Sequence, residues 1–96
     1  MNLNNYSKKK LIFINFSLGV ELTLKDLQTT KTRSILDIRN MMIYDLIQNH
    51  NQSFYDVSDF FHIKRVTIYN ALQSFKNLIE TNKEQKNFYS EFLQVK

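Results

Sequence analysis

Apolar residues recur at helical spacing along much of this chain, and the pattern is clearest in its second half. Val57, Phe60 and Phe61 share one face of a short segment that Ser53 can cap. A longer stripe at spacings of four, three and four residues consists of Ile68, Leu72, Phe75 and Ile79. The pattern predicts a short helix and a longer one, joined by a tight turn over residues 62–64.

Three further segments carry helix signals. Thr23 followed by Asp26 is a capping pair and predicts a short helix. Ser34–Asn49 has an apolar face so broad that we expect a central helix with several neighbours. Its opposite side is predicted to be exposed and consists of Asp37, Asn40, Tyr44 and Gln48. Phe88 and Phe92 predict a closing helix at about Glu84–Gln94.

The N-terminal segment admits more than one interpretation. Residues 1–10 are polar and are expected to form a tail whose lysines, Lys8–Lys10, are solvated. Leu11–Leu18 is apolar without a clear period, and it is interpreted as a buried first helix, with a strand as the local alternative. Lysines before a short apolar run also resemble a secretory signal, although Asn15 interrupts the run.

Composition favours one small all-α domain over residues 1–96. Apolar residues make up 43% of the chain, enough for a real core, and no proline and one glycine leave little material for hairpins. We therefore expect a compact bundle of about five to six helices. Absence of cysteine is compatible with a reducing cytoplasm.

Catalytic and cofactor chemistry find little support in the sequence. His50 and His62 are twelve residues apart with no matching carboxylate pattern, so no metal site is expected. The chain has no glycine-rich phosphate loop and no plausible Ser/His/Asp arrangement. We predict a protein that is not an enzyme, has no cofactor and does not bind a membrane.

Charge is distributed unevenly, and the distribution favours an acidic partner such as DNA. The net charge is +4, but residues 41–63 hold three acids and no Lys or Arg. Basic residues cluster before that stretch and resume at Lys64 and Arg65, where the second helix of the pair is predicted to begin.

Several segments together resemble a known family, the DNA-binding C-terminal domain of the bacterial replication initiator DnaA. The segments that match its short helix, long helix, next helix and closing elements are 19–27, 39–47, 53–61, and 75–79 with 88–93. Lys31 and Arg33 match the basic loop that enters the minor groove in that family. The resemblance implies a helix-turn-helix fold of the Trp-repressor type that binds double-stranded DNA.

The sequence departs from the family at the turn and the recognition helix. The family has a glycine-rich turn followed by arginine, aspartate, histidine, two threonines and valine. Here the segment reads HIKRVTIYNA and is one residue shorter, so the aspartate-histidine pair is missing. His62 replaces the turn glycine, and a positive φ there would carry some cost. The family's own DNA site therefore does not carry over.

Helical geometry predicts which residues of the second helix would contact DNA. With Ile68 in the core, the opposite side of the second helix would face the major groove. The predicted base-reading residues are Lys64, Arg65, Val66, Thr67, Tyr69, Asn70 and Gln73. The predicted backbone or minor-groove contacts are Lys31 and Arg33, which the resemblance implies, together with Arg39, Ser53 and Lys76. Asparagine and glutamine suit adenine, which predicts an A·T-leaning site; the alternative is that this side is simply solvated.

Two expectations about function follow. The first is a cytoplasmic, nucleoid-associated protein that binds double-stranded DNA in replication initiation, its control, or transcriptional regulation. The second is a protein-interaction module on the same fold, for example a modulator of the initiator in the replication or transcription machinery. Secretion would follow only from the signal interpretation, and the oligomeric state is left open.

Arg39 has two interpretations, a stem with its charge at the surface or a charge that meets phosphate.

Overall fold

The computed structural model describes residues 1–95 and contains six helices and no strand in that range. The helices are α1 (Leu3–Leu18), α2 (Leu24–Thr29), α3 (Arg33–Gln48), α4 (Phe54–Phe61), α5 (Arg65–Thr81) and α6 (Lys83–Leu93). The all-α bundle predicted from the sequence is therefore confirmed. Within the same range, no helix is both long and apolar enough to cross a membrane.

Helix starts follow the capping residues visible in the sequence. The amide of Asp26 donates to the Thr23 hydroxyl, and the amide of Thr23 donates to the Asp26 carboxylate at 2.8 Å. This capping box satisfies two donors that the helix itself leaves free. At α4, the amide of Asp56 donates to the Ser53 hydroxyl at 3.0 Å. Both predicted caps are confirmed, and they fix where α2 and α4 begin.

Helix α3 lies at the centre of the bundle and contacts α2, α4 and α5. This confirms the prediction of a central helix, but it corrects the side expected to be exposed. Asn40 is buried, and the Tyr44 ring packs 5.3 Å from the Phe75 ring and 5.8 Å from the Tyr89 ring. Because neighbours surround α3, part of its polar side is also covered. The fully buried core side chains are Ile14, Leu27, Met42, Ile43, Leu46, Val57, Phe61, Ile68 and Phe92.

Helix α1 begins earlier than expected and includes most of the segment predicted to be a tail. Asn2 caps it by accepting a hydrogen bond from the Asn5 amide at 3.1 Å. Leu11 and Ile14 are buried, which confirms a first helix in the core rather than a strand. The expected tail over residues 1–10 is therefore wrong from Leu3 onward, where the chain is helical, although Lys8 and Lys9 are exposed as expected.

Lys10 is buried, contrary to the expectation for the lysine triplet. Its ammonium donates to the carbonyls of Phe92 at 2.8 Å and Val95 at 2.9 Å, and lies 4.4 Å from the centre of the Phe92 ring. These partners are more than eighty residues away along the chain. Burial lowers the pKa of Lys10, and the two carbonyls compensate the lost hydration.

A buried carboxylate links α1, α3 and α6. Asp45 is fully buried; it accepts a hydrogen bond of 2.6 Å from the Tyr6 hydroxyl and one of 2.8 Å from the Asn49 side chain. His50 lies 3.3 Å from the same carboxylate. Asn49 also donates to the Tyr89 hydroxyl at 2.9 Å. Burial raises the pKa of Tyr6 well above its ordinary value, with Asp45 adding to the effect, and raises that of Tyr89 to about 12.

Candidate nucleic-acid interface

The turn between α4 and α5 begins with a residue in the left-handed conformation, and that residue is His62. His62 ends α4 at φ 57° and ψ 45°, and its amide donates to the Asp59 and Ser58 carbonyls. The next amide, that of Ile63, donates to the Ser58 carbonyl at 3.0 Å. Glycine is the usual residue at such a helix end, so His62 holds a conformation that costs free energy.

Close packing of α4 on α5 provides the base of the candidate interface. Val57 and Phe61 from α4 are fully buried, as is Ile68 from α5. Ser58 and Ala71 are also buried, and their small side chains suit a close approach of the two helices. The side of α5 opposite Ile68 is left largely exposed.

The exposed side of α5 carries the residues predicted to read bases. Val66 and Tyr69 are 61% and 63% exposed, which is unusual for apolar and aromatic side chains. The polar and charged members that are also exposed are Lys64, Arg65, Asn70 and Gln73. Thr67 is half-buried, so it contributes less surface than the others. The helical phase inferred from Ile68 therefore matches the structure.

Two local contacts reduce the freedom of this surface. The Tyr69 ring lies 4.7 Å from the Phe54 ring of α4, measured between centroids. The Gln73 side-chain amide donates to the Asn77 side chain at 3.1 Å. Asn70 extends into solvent between them along the helix. The surface is thus partly preorganised by neighbours on α4 and α5 themselves.

The N-terminus of α5 is electropositive for two reasons. Lys64 occupies the N-cap position, and an ammonium has no acceptor with which to bind the first-turn amides. The partial positive charge of the helix end therefore adds to the side-chain charges of Lys64 and Arg65. Over residues 1–95, neither side chain has a carboxylate within ion-pair distance. Such a helix end is a ready site for a phosphate.

The last turn of α2, which leads into the basic loop before α3, is tied to the end of α4 where the turn begins. The Gln28 side chain donates to the Phe60 carbonyl at 2.8 Å. Lys31 follows three residues later and is exposed. Arg33 is exposed and lies 3.4 Å from the half-buried Asp37, in a pair that contributes little stability and can exchange for another anion. Both predicted phosphate contacts, Lys31 and Arg33, are therefore accessible to solvent.

Arg39 is placed differently from either interpretation of the sequence. Its side chain is only 7% exposed, and its guanidinium makes one long contact of 3.4 Å, to the Leu27 carbonyl at the end of α2. Nε has no hydrogen-bond partner among residues 1–95. Burial lowers the pKa of Arg39 because no carboxylate offsets the lost hydration. The charge is neither at the surface nor positioned at an outer edge, so its predicted DNA contact is not supported by its placement.

The two remaining predicted contacts lie at the ends of the surface. Ser53 is exposed, and its hydroxyl oxygen is engaged by the Asp56 amide. Lys76 is exposed and lines a depression with Tyr69, Gln73 and Tyr44.

In the part of the chain that the structure describes, no three His, Cys, Asp or Glu side chains are grouped as a metal site would require.

Asp45 and Lys10 are the buried polar residues whose roles the sequence analysis missed. Asp45 follows Met41 by four residues and Met42 by three, so helical spacing alone places it on the buried side of α3. Lys10 follows Tyr6 by four residues and precedes Ile14 by four, which gives the same signal. Both support the fold rather than the candidate interface.

The fold and the surface define a six-helix, all-α protein with a basic helix end and an exposed polar helix side. Comparison of the chain with protein-family models, curated proteins and solved structures gives no match. Its function must therefore be inferred from its own residues.

Proposed function

We propose that this protein binds double-stranded DNA, with α4 and α5 as a helix-turn-helix and α5 in the major groove. The observation that carries the proposal is the exposed side of α5, on which cationic, amide and apolar side chains occur together at one end of a rigidly packed helix. Such a helix fits the width of the major groove, and its N-terminal residues are the ones that reach base edges in this motif.

The side chains on this surface favour A·T base pairs. Asn70 and Gln73 each offer a donor and an acceptor, the pair that matches the N6 and N7 atoms of adenine. Val66 offers an apolar contact for a thymine methyl group. Tyr69, held by Phe54, adds a rigid flank with a polar hydroxyl.

Phosphate contacts would surround the base-reading surface. Lys64 and Arg65 combine with the helix end of α5, while Lys31 and Arg33 follow α2, whose Gln28 bonds to the end of α4. Lys76 lies farther along α5. These contacts position the protein on the duplex and make binding dependent on salt.

The biological process proposed is control of DNA replication or of transcription, in the cytoplasm on the nucleoid. The resemblance to the initiator's DNA-binding domain supports this placement, because the segments that resemble it include the long helix and the basic loop. The role is that of a binding protein rather than an enzyme. The missing aspartate-histidine pair implies a site different from the initiator's own.

A protein-interaction module is the second candidate function, and acidic residues on α4 favour it. Asp56 and Asp59 are exposed on the helix that would cross the DNA backbone, where they would repel phosphate. Tyr55 is also exposed and, with Val66 and Tyr69, gives the same region the aromatic character of a protein interface. This candidate predicts that a protein, rather than a duplex, covers α4 and α5.

Selection from a random duplex pool tests the two functions against each other. DNA binding predicts an enriched A·T-containing site whose affinity falls steeply as salt is raised. We expect the slope of log affinity against log salt to be about −0.9 for each phosphate contact. No enrichment, together with no duplex binding at low salt, would overturn the DNA proposal and leave the interaction module.

Matched variants separate base contacts from phosphate contacts. Asn70→Ala should relax the preference at one base pair at a cost of about 1–3 kcal/mol in discrimination. Lys31→Ala should weaken binding to all sequences alike and lower the salt slope by about one. Asn87→Ala and Lys86→Ala on α6 are the controls, because both residues are exposed beyond the proposed surface. Equal effects of test and control variants would contradict the assignment of α5.

A further inference from the structure

The outer side of α1 exposes large apolar side chains that nothing in the described chain covers. Ile12 is 68% exposed and Phe16 is 90% exposed, although Leu11 and Ile14 on the same helix are buried. Ile12 and Phe16 are one helical turn apart and therefore adjacent on one face. Such exposed pairs in a small protein mark an interaction site more often than isolated apolar residues do.

Charges at the two ends of this face have opposite signs. Lys8 and Lys9 are exposed one turn before Ile12. Beyond the helix, Glu21 is exposed in the segment that leads to α2. The apolar pair therefore lies between a basic end and an acidic end of the same surface.

Asn15 holds the acidic end in place. Its side chain donates to the Leu22 carbonyl at 3.0 Å and accepts from the Leu22 amide at 2.9 Å. Its backbone carbonyl accepts from the Val20 amide at 3.1 Å. These bonds fold the segment containing Glu21 back along the Asn15 side of α1. Lys8 precedes Asn15 by seven residues, two turns, and so lies on that same side.

Antiparallel pairing of two such helices would cover the exposed apolar pair and bring the basic end of each copy to the acidic end of the other. With a two-fold axis at the level of Ile14, Ile12 of one copy lies level with Phe16 of the other, each about 3 Å from the axis along the helix. Lys8 then lies about 9 Å from the axis, near the end of the second copy's α1, where the segment containing Glu21 turns back toward Asn15. Parallel pairing would instead bring the lysines together. The axis repeats each contact, so one face supplies two apolar and two ionic contacts.

We propose that the outer face of α1 is a self-association surface that pairs antiparallel with α1 of a second copy of this chain. The proposal is independent of DNA binding, because the surface belongs to a helix outside the α4–α5 unit. One pair of helices of this length buries less than the roughly 1,600 Å² of a standard interface, so the dimer is weak and forms at high micromolar concentration.

Sedimentation equilibrium of the full chain over a concentration series tests the association. At low salt, the weight-average mass should rise from 11.5 kDa toward twice that value as the concentration approaches about 1 mM. Phe16→Ser should abolish the rise without loss of helical circular dichroism, because its side chain is exposed. A mass that stays monomeric up to that concentration, or a dimer that survives Phe16→Ser, would overturn the proposal.

A charge exchange tests the orientation. Lys8→Glu and Glu21→Lys should each weaken the dimer severalfold, and the two together should restore it. Lys86→Glu, which lies in a depression between α5 and α6, is the control of matched charge change and should show only the general effect of net charge. Failure of the double variant to recover would contradict antiparallel pairing.

Cross-linking adds a direct readout of register. The chain has no cysteine, so single cysteines at positions 12 and 16 can be placed without interference. A short bismaleimide should join a chain carrying Ile12→Cys to one carrying Phe16→Cys faster than it joins two Ile12→Cys chains. The reverse preference would mean parallel pairing. Binding of the monomer to anionic vesicles, abolished by Phe16→Ser, would instead assign the face to a lipid surface and refute self-association.

Discussion

The Tyr6 hydroxyl donates a 2.6 Å hydrogen bond to the Asp45 carboxylate, so the first helix is joined to the last turn of the third through a fully buried carboxylate. Asn49 donates to the other carboxylate oxygen at 2.8 Å. Since an ionised carboxylate loses its hydration on burial, these donors are required rather than incidental. The Tyr6 hydroxyl therefore contributes to the docking of α1, together with the Lys10 hydrogen bonds and the buried Leu11 and Ile14.

Tyr6→Phe tests this dependence, because it removes the hydroxyl and keeps the ring that packs 5.4 Å from the His50 ring. Hydrogen bonds to charged groups contribute about 1.5–3 kcal/mol, and we expect the free energy of unfolding to fall by that amount. Urea denaturation followed by circular dichroism measures it. Tyr55→Phe is the control: Tyr55 is exposed on α4, and its substitution should change little. Equal effects of the two changes would refute a special role for the Tyr6 hydroxyl.

Alkaline pH should destabilise the protein through the same tyrosines. The folded-state pKa of Tyr6 is raised, and that of Tyr89 is raised to about 12, both by burial. Their stabilising contribution is therefore complete below pH 10, the ordinary tyrosine value, and is lost as pH rises toward 12 and beyond, since the unfolded chain ionises first. Lys10, whose pKa is lowered by burial, contributes the opposite slope, but only up to the ordinary lysine value.

The contribution of Tyr6 can be isolated by comparing denaturation of the native sequence and of Tyr6→Phe at several pH values above 10. The native protein should lose stability more steeply, by up to about 1.4 kcal/mol per pH unit for one group. Parallel curves for the two proteins would show that Tyr6 ionises equally easily in the folded and unfolded states.

His62→Gly should stabilise the protein, because His62 has φ 57° at the end of α4 and its side chain is exposed. Glycine adopts this conformation without the steric cost of a Cβ atom, and we expect a gain of about 0.5–1 kcal/mol in the free energy of unfolding. Asn51 also has φ 57°, but asparagine tolerates this region well. Asn51→Gly should therefore gain less in the same thermal or urea measurement. A loss of stability at position 62 would mean that the imidazole makes a stabilising contact.

Arg39→Met should leave the stability unchanged or raise it by up to about 1 kcal/mol. Among residues 1–95, the buried guanidinium has no partner at Nε and only one long hydrogen bond, so methionine can replace its packing without the cost of a buried charge. Leu27→Met in the neighbouring core is a control for repacking alone. A loss above 2 kcal/mol for Arg39→Met would show that the charge itself stabilises the fold. An unchanged salt dependence of DNA binding would separate Arg39 from Lys31 and Arg33.

Local features were predictable from the sequence because their causes are local. Thr23 and Ser53 cap helices within three residues of themselves, and the spacing around Ile68 fixes which side of α5 is exposed. The outward positions of Val66, Asn70 and Gln73 follow directly from that phase. Because the exposed side of α5 depends only on this local phase, the residues of the candidate interface were predictable from the sequence. DNA binding itself is a proposal.

Buried polar residues were predicted poorly because their partners lie far away in the sequence. Tyr6 and Asp45 are 39 residues apart, and the carbonyls that bind Lys10 are 82 and 85 residues away. A lysine next to two other lysines is usually solvated, and only the tertiary arrangement provides acceptors that permit its burial. Asn40 and Arg39 were misjudged for a related reason, since helix periodicity does not show how many neighbours surround α3.

The attachment of Lys10 to the carbonyls of Phe92 and Val95 has a consequence for synthesis of the chain. α1 is synthesised before α6 but packs against it, and the spacing of Lys10 and Phe92 puts 82 residues of synthesis between them. At about 5–20 residues per second, that interval lasts roughly 4–16 s. During it, Leu11 and Ile14 are displayed together with Ile12 and Phe16 behind three lysines, the pattern that resembles a secretory signal. During this interval the nascent chain therefore exposes a more apolar α1 than the folded protein does.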